Sequence, residues 1–371
     1  MTRQSFVTIR GKRFHWIWLR DHCLCPQCRH PSSFQKLYDI SELSDPVEPL
    51  SVKEIGNKLQ IIWAGDPPHH SSYPVSWLLS VAYDHETSGV DDTEEKETYL
   101  WNLAELQKYR SIWSDAITDS SENWLDQLSQ LGFSLVRNLP SQDLEAFISS
   151  IGPIYHKARF GPFSTTKTIP KEQDVSQSTK GYALLPHTDS TFLYDSQRMI
   201  QFLYCEENQA SGGESILVDG FKIVKDLQED KPEVYRILSQ TIVKFCRLYP
   251  DWEYYLCNNT PIINLGKNND LGIYFSHKDF NPIAPFEEME CFYEAYSIFL
   301  GYLKNPDYQY SFKLTPGDLI ILQNFRILHG RNAFAPDSGH RELTVAYLSW
   351  DYFTGRHNFH HLKHLYSVDA G

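Results

Sequence analysis

The feature that most restricts the fold is a histidine and an aspartate one residue apart, His187 and Asp189 in LLPHTDSTF, at the end of an apolar run. Residues i and i+2 of an extended strand point to the same face. The sequence therefore predicts that the imidazole and the carboxylate share one side of a strand end. Such a pair alone is more often an ordinary surface contact than a metal site, so its meaning depends on a third partner.

A third candidate ligand is His329 in ILQNFRILHGRNAF, at the end of a predicted strand that follows the turn Pro316-Gly317-Asp318. Two imidazoles and one carboxylate form the facial donor set of non-haem Fe(II) oxygenases, which leaves coordination positions open for a co-substrate and O₂. A β-barrel of the jelly-roll type can bring an H-x-D on one strand opposite a distant histidine on another. The three residues together therefore favour such a fold.

Two further residues could serve a carboxylate in the same pocket. Arg341, in GHRELTVAYLSW, follows His329 by twelve residues on a predicted strand. Its guanidinium can form a bidentate pair with a carboxylate. Ser215, in ASGGESILVDG, supplies a hydroxyl donor to that carboxylate.

The remaining pattern is mostly β with flanking helices. The predicted strands of the C-terminal part are QRMIQFLYCEE, ESILVDG, TIVKFCRL, GIYFSH, DLIILQNFRILHG and RELTVAYLSWD, and the predicted helices include DGFKIVKDLQEDKPEVYRILSQ and FEEMECFYEAYSIFLGYL. Many strands with few helices between them favour a sandwich or jelly roll over a βαβ alternation. Near the N-terminus, FVTIRGKRFHWIWLRDH and KLQIIWAG are also predicted to be strands, before a helix in YPVSWLLSVAYDH.

An acidic, polar stretch at residues 84–99, DHETSGVDDTEEKETY, separates these two parts. Such a composition is typical of a linker or a mobile loop. We therefore expect a small N-terminal domain at residues 1–90, a linker at 91–100 and a jelly-roll domain at 101–371.

Composition excludes several classes of partner. The formal net charge of -13 argues against nucleic acid, which normally requires a basic surface. No apolar run approaches the roughly 18 residues of a membrane span. The N-terminal residues MTRQSFVTIRGKRF have neither a signal-peptide core nor the character of a transit peptide. We expect a cytoplasmic protein.

Three of the seven cysteines form the motif C-x-C-x-x-C at Cys23, Cys25 and Cys28. A cluster beside scattered single cysteines is more typical of metal ligation than of a secreted disulfide framework. Three thiolates need a fourth ligand to close a tetrahedral zinc site. The candidates are His69, His70, His22 and His30.

The chain resembles the Fe(II)- and 2-oxoglutarate-dependent oxygenases of the taurine dioxygenase-like superfamily, in the branch of the γ-butyrobetaine and trimethyllysine hydroxylases. The resemblance covers nearly the whole chain and is carried, in order, by WLRDHCLCPQC, GFSLVRNLP, HTD, GGESILVDGF, PGDLIILQNFRILHGR and HRELTVAYLSWD. It implies a double-stranded β-helix and a homodimer.

The resemblance also implies a set of ligands. By it, iron is bound by His187, Asp189 and His329, Arg341 holds the distal carboxylate of 2-oxoglutarate with help from Ser215, and His69 completes a structural zinc site. The cofactors expected on this basis are Fe(II), the co-substrate 2-oxoglutarate, O₂ and structural Zn(II).

The sequence departs from the branch where relatives hold a trimethylammonium group in a cage of aromatic rings. Phe160 and Tyr347 keep two aromatic positions of the cage, but Ser164 and Gln177 stand where Trp and Tyr are expected. An Asn-Asn pair usual in the branch is replaced by Ser276-His277.

A hydroxyl, an amide and the nearby carboxylate of Asp174 suit a primary ammonium, whose N–H donors a quaternary group lacks. We therefore expect a dioxygenase that oxidises an unactivated C–H bond of a small amino acid or amine in specialised metabolism. The outcome is hydroxylation, cyclisation or desaturation, whereas halogenation is disfavoured because Asp189 fills the position that a halide needs. The alternatives are a carnitine-pathway hydroxylase with a rearranged cage and a non-catalytic zinc scaffold, which the intact triad disfavours.

Overall fold

The computed structural model describes residues 5–42, 47–84, 98–109, 111–119, 121–155, 161–167, 181–194, 198–266 and 270–362. The chain divides into two compact units, one of residues 1–95 with 358–371 and one of residues 96–357. Because residues 85–97 lie outside the described ranges, the boundaries expected from the sequence stay predictions.

The first unit contains a hairpin and a three-stranded antiparallel sheet ordered β3-β4-β5. Its elements are β1 Phe6–Ile9, β2 Lys12–His15, α1 Trp16–Asp21, β3 Pro49–Ile55, β4 Lys58–Trp63, β5 His69–Pro74 and α2 Val75–Ser80. The prediction of a strand through WIWLRDH was wrong, because α1 occupies that stretch. Within α1, Leu19 is fully buried beside Phe14 of β2 in the core of this unit.

The second unit is mostly β, as the sequence predicts, with helices around its sheets. Its elements are α3 Leu103–Leu106, β6 Trp113–Asp115, α4 Ser121–Leu131, β7 Phe133–Arg137, α5 Leu144–Ser149, β8 Ser164–Lys167, β9 Leu184–His187, β10 Met199–Asn208, β11 Ser211–Gly212, β12 Ser215–Asp219, α6 Gly220–Asp230, α7 Pro232–Gln240, β13 Ile242–Tyr249, β14 Tyr254–Thr260, β15 Ile263–Leu265, β16 Leu271–Ile273, β17 Phe280–Ile283, α8 Met289–Lys304, β18 Tyr310–Phe312, β19 Leu319–Gln323, β20 Ile327–Arg331, β21 Phe334–Ala335, β22 Arg341–Ser349 and α9 Trp350–Leu362. Short 3₁₀ turns lie at Ile40–Glu42 in the first unit and at Ser141–Asp143, Pro250–Trp252, Phe286–Glu288, Pro306–Tyr308 and Pro336–Ser338 in the second.

Two sheets organise this unit. One is ordered β6-β7-β19-β10-β22-β8 and the other β18-β12-β20-β9. Side chains of both sheets share one apolar cluster, in which Leu203 and Tyr347 of the first sheet meet Leu217 and Ile327 of the second. The two sheets therefore pack face to face over a common core.

Several predicted elements divide where turn chemistry intervenes. The long helical stretch after residue 219 becomes α6 and α7, since Pro232 opens a new helix at its first turn. The stretch DLIILQNFRILHG becomes β19 and β20, and GIYFSH is a strand only to Ile273. The final strand β22 ends at Ser349, before α9 begins.

A buried ion pair holds the second sheet at the start of β20. Arg326 donates to both carboxylate oxygens of Asp219, with Nε to Oδ1 at 3.0 Å and Nη2 to Oδ2 at 2.8 Å. Its other donors bond to the carbonyls of Gln130 and Tyr99, both at 2.8 Å. Asp219 and Arg326 are about 1% exposed, so the pair is fully desolvated. Gly132, at φ +80°, leaves the required space, because a Cβ there would lie 2.7 Å from Arg326 Cδ.

None of the helices in the described part of the chain combines the length and apolar character that a membrane crossing requires.

Candidate active site and metal centres

Three side chains converge where β9 and β20 pair. The antiparallel ladder sets His329 directly opposite His187, and their ring centroids lie 4.7 Å apart. The two oxygens of Asp189 lie 3.5 Å from His187 Nε2 and 3.9 Å from His329 Nε2. One ligand atom from each of the three residues lies within 4.8 Å of the other two, so the three atoms are close enough to bind one ion.

Asp189 reaches this position by a turn and not by strand alternation. Strand β9 ends at His187, so the expectation that both side chains stand on one extended strand was wrong. Ser190 adopts a left-handed conformation at φ 60°. Asn324, which follows β19, accepts a bond from the Asp189 N–H at 2.8 Å and donates one to its carbonyl at 2.9 Å. A side chain 135 positions away thus holds the backbone of this turn.

Neighbouring groups orient the ligand atoms. His187 Nδ1 lies 2.8 Å from the carbonyl of Leu185, so it carries the proton and leaves Nε2 as a lone-pair donor. Asp189 Oδ2 accepts hydrogen bonds from Tyr347 Oη at 2.8 Å and from Gln201 Nε2 at 2.7 Å. Burial raises the pKa of the Tyr347 hydroxyl well above its usual range, so this hydroxyl remains a donor. Two imidazole nitrogens and an oriented carboxylate fit Fe(II).

The three residues open into a cavity of about 1450 Å³, within which the predicted co-substrate residues also lie. Arg341 begins β22 and is 6% exposed, and burial lowers the pKa of its guanidinium. Ser215 begins β12 and is also buried, opposite Arg331 in the ladder. Both line the cavity.

Sequence reasoning missed a second arginine in the same wall. Arg331 is 4% exposed, and its guanidinium lies 4.4 Å from the ring centroid of Phe334. Arg341 lies 5.9 Å from that ring, on which the two arginines converge. Burial, then the charge of Arg341, lowers the pKa of Arg331 to about 10. The signal was present as LHGR, with Arg331 two positions after His329.

The first unit carries a second cluster. The Sγ atoms of Cys23, Cys25 and Cys28 lie 3.2, 3.6 and 3.5 Å from Nε2 of His69. A tetrahedral zinc ion with its usual bond lengths would separate such atoms by roughly 3.5 Å. The four donors therefore fit zinc without rearrangement.

The other three candidate histidines lie elsewhere. His22 Nδ1 is 2.9 Å from the carbonyl of Trp18, and its ring stacks on that indole at 4.1 Å. His30 Nδ1 accepts from the backbone N–H groups of residues 32 and 33. His70 follows His69 on β5 and so points to the opposite face of the strand.

Hydrogen bonds also support the sulfur atoms. Ser71 donates to Cys23 Sγ at 3.0 Å and accepts from the indole N–H of Trp63 at 2.8 Å. Arg20 Nη1 donates to Cys28 Sγ at 3.4 Å. Burial raises the pKa of the Cys23 thiol to about 12, so a thiolate there needs the charge of a bound cation.

Comparison with known proteins gives the family. Residues 110–347 match the family described as taurine catabolism dioxygenase TauD, TfdA, and residues 5–79 match the γ-butyrobetaine hydroxylase-like N-terminal domain. The chain belongs to the TauD/TfdA dioxygenase family. It is a non-haem iron dioxygenase that depends on 2-oxoglutarate, as the sequence predicts, and the two matches together confirm the predicted branch.

Three relatives are similar to this dioxygenase over most of its length. A γ-butyrobetaine dioxygenase from Pseudomonas sp. (strain AK-1) is 27% identical over 94% of this chain and 90% of its own length. A trimethyllysine dioxygenase, mitochondrial, from Bos taurus is 25% identical over 91% of this chain and 80% of its own length. Dioxygenase str8 from Strobilurus tenacellus is 24% identical over 87% of this chain and 77% of its own length.

The predicted substrate residues of the dioxygenase are only partly described. Ser164 begins β8 opposite Val345 and lines the cavity. Tyr347 lines it too, although its hydroxyl is bonded to Asp189, a contact that sequence reasoning did not foresee. Phe160, Asp174 and Gln177 lie outside the described residues.

The strands β13 and β14 add a wall that was also missed. Tyr249 and Trp252 stack with ring centroids 4.9 Å apart, and Phe192 meets Tyr249 edge-on at 6.2 Å. Arg247 covers Phe192 at 4.9 Å. The stretch FCRLYPDWEYY, dense in aromatic residues, was the available signal.

Proposed function

We propose that this dioxygenase binds Fe(II) through His187, Asp189 and His329 and oxidises an unactivated C–H bond of a small amino acid or amine. The observation that carries the proposal is the oriented His-Asp-His donor set at a cavity large enough for a substrate and a co-substrate. With 2-oxoglutarate and O₂, an iron centre of this type supplies the oxidant for such a bond and yields succinate and CO₂.

The chain's own contribution is to bind and orient. Arg341 binds the distal carboxylate of 2-oxoglutarate through its guanidinium fork, and Ser215 donates a hydrogen bond to the same group. Both are buried, and a charge-assisted pair is stronger where water is excluded. Tyr347 and Gln201 keep the Asp189 carboxylate aimed at the metal position.

Substrate choice follows from the changed cage. Ser164 and Gln177 replace two aromatic rings by hydrogen-bonding groups, and together with the nearby carboxylate of Asp174 they suit a primary ammonium. Phe160 and Tyr347 supply apolar surface for the carbon skeleton. Hydroxylation, cyclisation and desaturation all begin with removal of a hydrogen atom from the substrate's C–H bond. They differ in the fate of the resulting substrate radical. Specialised metabolism, a cytoplasmic location and a homodimer belong to the same proposal.

Two finer structural assignments also belong here. The face-to-face sheets of the second unit support a double-stranded β-helix. The tetrahedral spacing of Cys23, Cys25, Cys28 and His69 supports a structural zinc site in the first unit, since all four positions around the ion would be filled by protein.

The second candidate function is hydroxylation of γ-butyrobetaine or trimethyllysine. It is favoured by the similarity to a γ-butyrobetaine dioxygenase and a trimethyllysine dioxygenase, and by the aromatic wall of Phe192, Tyr249 and Trp252, whose rings could receive a quaternary ammonium group.

A succinate-formation screen separates the two. Purified protein with Fe(II), 2-oxoglutarate and O₂ is offered free amino acids, small primary amines, γ-butyrobetaine and trimethyllysine. We expect turnover of an amino acid or amine. Strong turnover of a trimethylated compound, with none of the free amino acids coupled to 2-oxoglutarate consumption, would establish the second candidate.

A further inference from the structure

Lys278 lies in the cavity next to the proposed iron ligands. It belongs to residues 274–279, which join β16 to β17, and its Nζ is 3.4 Å from His187 Nε2. Two hydrogen bonds fix this segment to the ligand turn: Thr188 N–H donates to the Phe275 carbonyl at 2.8 Å, and Phe275 N–H donates to Thr188 Oγ1 at 2.9 Å. These bonds fix the backbone of the segment beside the ligand turn, and the side chain of Lys278 brings its ammonium group to the reacting centre.

The nearby carboxylates are engaged by other partners. Asp279 accepts three hydrogen bonds from Arg247, at 2.9, 2.8 and 2.7 Å. Asp189 Oδ2 accepts from Tyr347 and Gln201. In the described part of the chain, neither carboxylate forms a salt bridge with Lys278, although both lie near enough for their charge to act on it.

The charges that line the cavity favour binding of a negatively charged group. Its cationic lining residues, among those described, are Arg247, Lys278, Arg331 and Arg341, and its anionic ones are Asp189, Asp251 and Asp279. Bound Fe(II) would add two positive charges, and 2-oxoglutarate would add two negative ones. Among the described residues, one positive charge then remains, and an anionic group of the substrate would offset it.

We propose that Lys278 binds a carboxylate of the prime substrate and is a specificity-determining residue of this enzyme. The proposal rests on the proposed function and narrows its substrate class from small amines in general to amino acids. An ammonium group acts on a carboxylate as a compact point charge with three donors, so it suits a ligand whose orientation is fixed by other contacts. The distal carboxylate of 2-oxoglutarate is already assigned to Arg341.

Matched pairs of ligands test the assignment by binding, without turnover. The full chain is loaded with Fe(II) and 2-oxoglutarate under anaerobic conditions, and its visible charge-transfer band and binding heat are followed. The probes are L-lysine against cadaverine, L-arginine against agmatine and L-leucine against isoamylamine, each pair differing by one carboxylate. We expect at least one acid to bind, about tenfold or more tighter than its amine.

Variants locate the effect. Lys278→Met should weaken binding of that acid by about tenfold to 100-fold and leave 2-oxoglutarate affinity within about twofold, while Lys278→Arg should retain part of the preference. Lys244→Met, on β13 and over the ring of Tyr255, removes a lysine that does not line the cavity and serves as the control.

Three results would overturn the proposal: equal binding of acids and amines, binding of none of the acids, or a Lys278→Met variant in which only 2-oxoglutarate affinity falls. The last would assign Lys278 to the co-substrate. A failure of the proposed function looks different. If γ-butyrobetaine, which also carries a carboxylate, is bound in place of the amino acids and loses affinity in Lys278→Met, the role of Lys278 stands and the preference for a primary ammonium falls.

Discussion

The two ligand clusters of this chain differ in how completely protein surrounds the metal position. The Cys23, Cys25, Cys28 and His69 cluster supplies four donors at tetrahedral spacing. The His187, Asp189 and His329 cluster supplies three donors on one side and opens into a cavity of about 1450 Å³. A closed shell leaves no position for a substrate, whereas an open one invites chemistry. The first cluster is therefore expected to stabilise the fold of its unit, and the second to take part in the reaction.

Their supporting contacts differ in the same sense. Around the cysteines, Ser71 and Arg20 donate to sulfur and so stabilise negative charge in place. Around the triad, Tyr347, Gln201 and Asn324 fix the direction in which one carboxylate points. A structural site needs charge balance, and a catalytic site needs orientation as well.

The largest effect should come from the open site. Asp189→Ala removes one of three donors and should reduce succinate formation to background and abolish the charge-transfer band seen with anaerobic Fe(II) and 2-oxoglutarate. Zinc content should stay at one per chain. Asp251→Ala, an exposed carboxylate at the same cavity, is the control. An unchanged band in Asp189→Ala would remove the basis for the iron assignment.

Cys25→Ser should affect the closed four-donor cluster of the first unit. Structural zinc sites contribute roughly 10–16 kcal/mol of binding free energy to folding, so loss of one thiolate should release zinc and unfold the first unit. The measurement is zinc content together with thermal unfolding, and the iron band should persist in protein that remains soluble. Cys291→Ser, at an exposed cysteine of α8, should change neither. Zinc loss with no change in unfolding would contradict a structural role.

Arg341→Ala should weaken 2-oxoglutarate binding without affecting iron. A charge-assisted fork is worth roughly 1.5–3 kcal/mol, which corresponds to an increase of about tenfold to 150-fold in the co-substrate requirement. Arg341→Lys keeps the charge but loses the fork and should fall between the variant and the parent. The role of Arg341 would have to be abandoned if only the prime-substrate requirement changed.

The smallest effect should come from the hydroxyl behind the carboxylate. Tyr347→Phe leaves Gln201 on Asp189 and should lower iron affinity by about tenfold, with little change in stability. Tyr204→Phe, a buried tyrosine of β10 whose hydroxyl bonds to the Leu139 carbonyl, is the matched control. Equal iron affinity in both variants would mean that Tyr347 does not orient the ligand.

The sequence was sufficient to name the residues of both clusters, because each motif is short or carried by the family resemblance. The mostly β architecture was equally accessible, since long apolar runs such as β10 and β19 have little helical character. Where local signals conflicted, the prediction failed. The stretch WIWLRDH is rich in residues that favour strands. It nevertheless forms the helix α1, which buries Leu19 in the core of the first unit.

Long-range contacts were beyond reach from the sequence. Nothing near Asn324 indicates that its amide holds the turn of Asp189, 135 residues earlier. Lys278 gave no motif either, because its position beside His187 depends on the backbone bonds between Thr188 and Phe275. Such contacts follow from the tertiary fold, which a single sequence does not fix locally.

The buried pair of Asp219 and Arg326 has a consequence for how this enzyme can evolve. Loss of either partner alone strands a desolvated charge at a cost of roughly 3–5 kcal/mol, a large share of a typical domain's stability. Well-packed apolar residues at both positions can be neutral or better. A single substitution at either position is therefore expected to destabilise the protein, and only a joint replacement of both residues avoids that cost. His329 lies three residues after Arg326, on β20. A substitution that breaks the ion pair would therefore also disturb the strand that carries this proposed iron ligand.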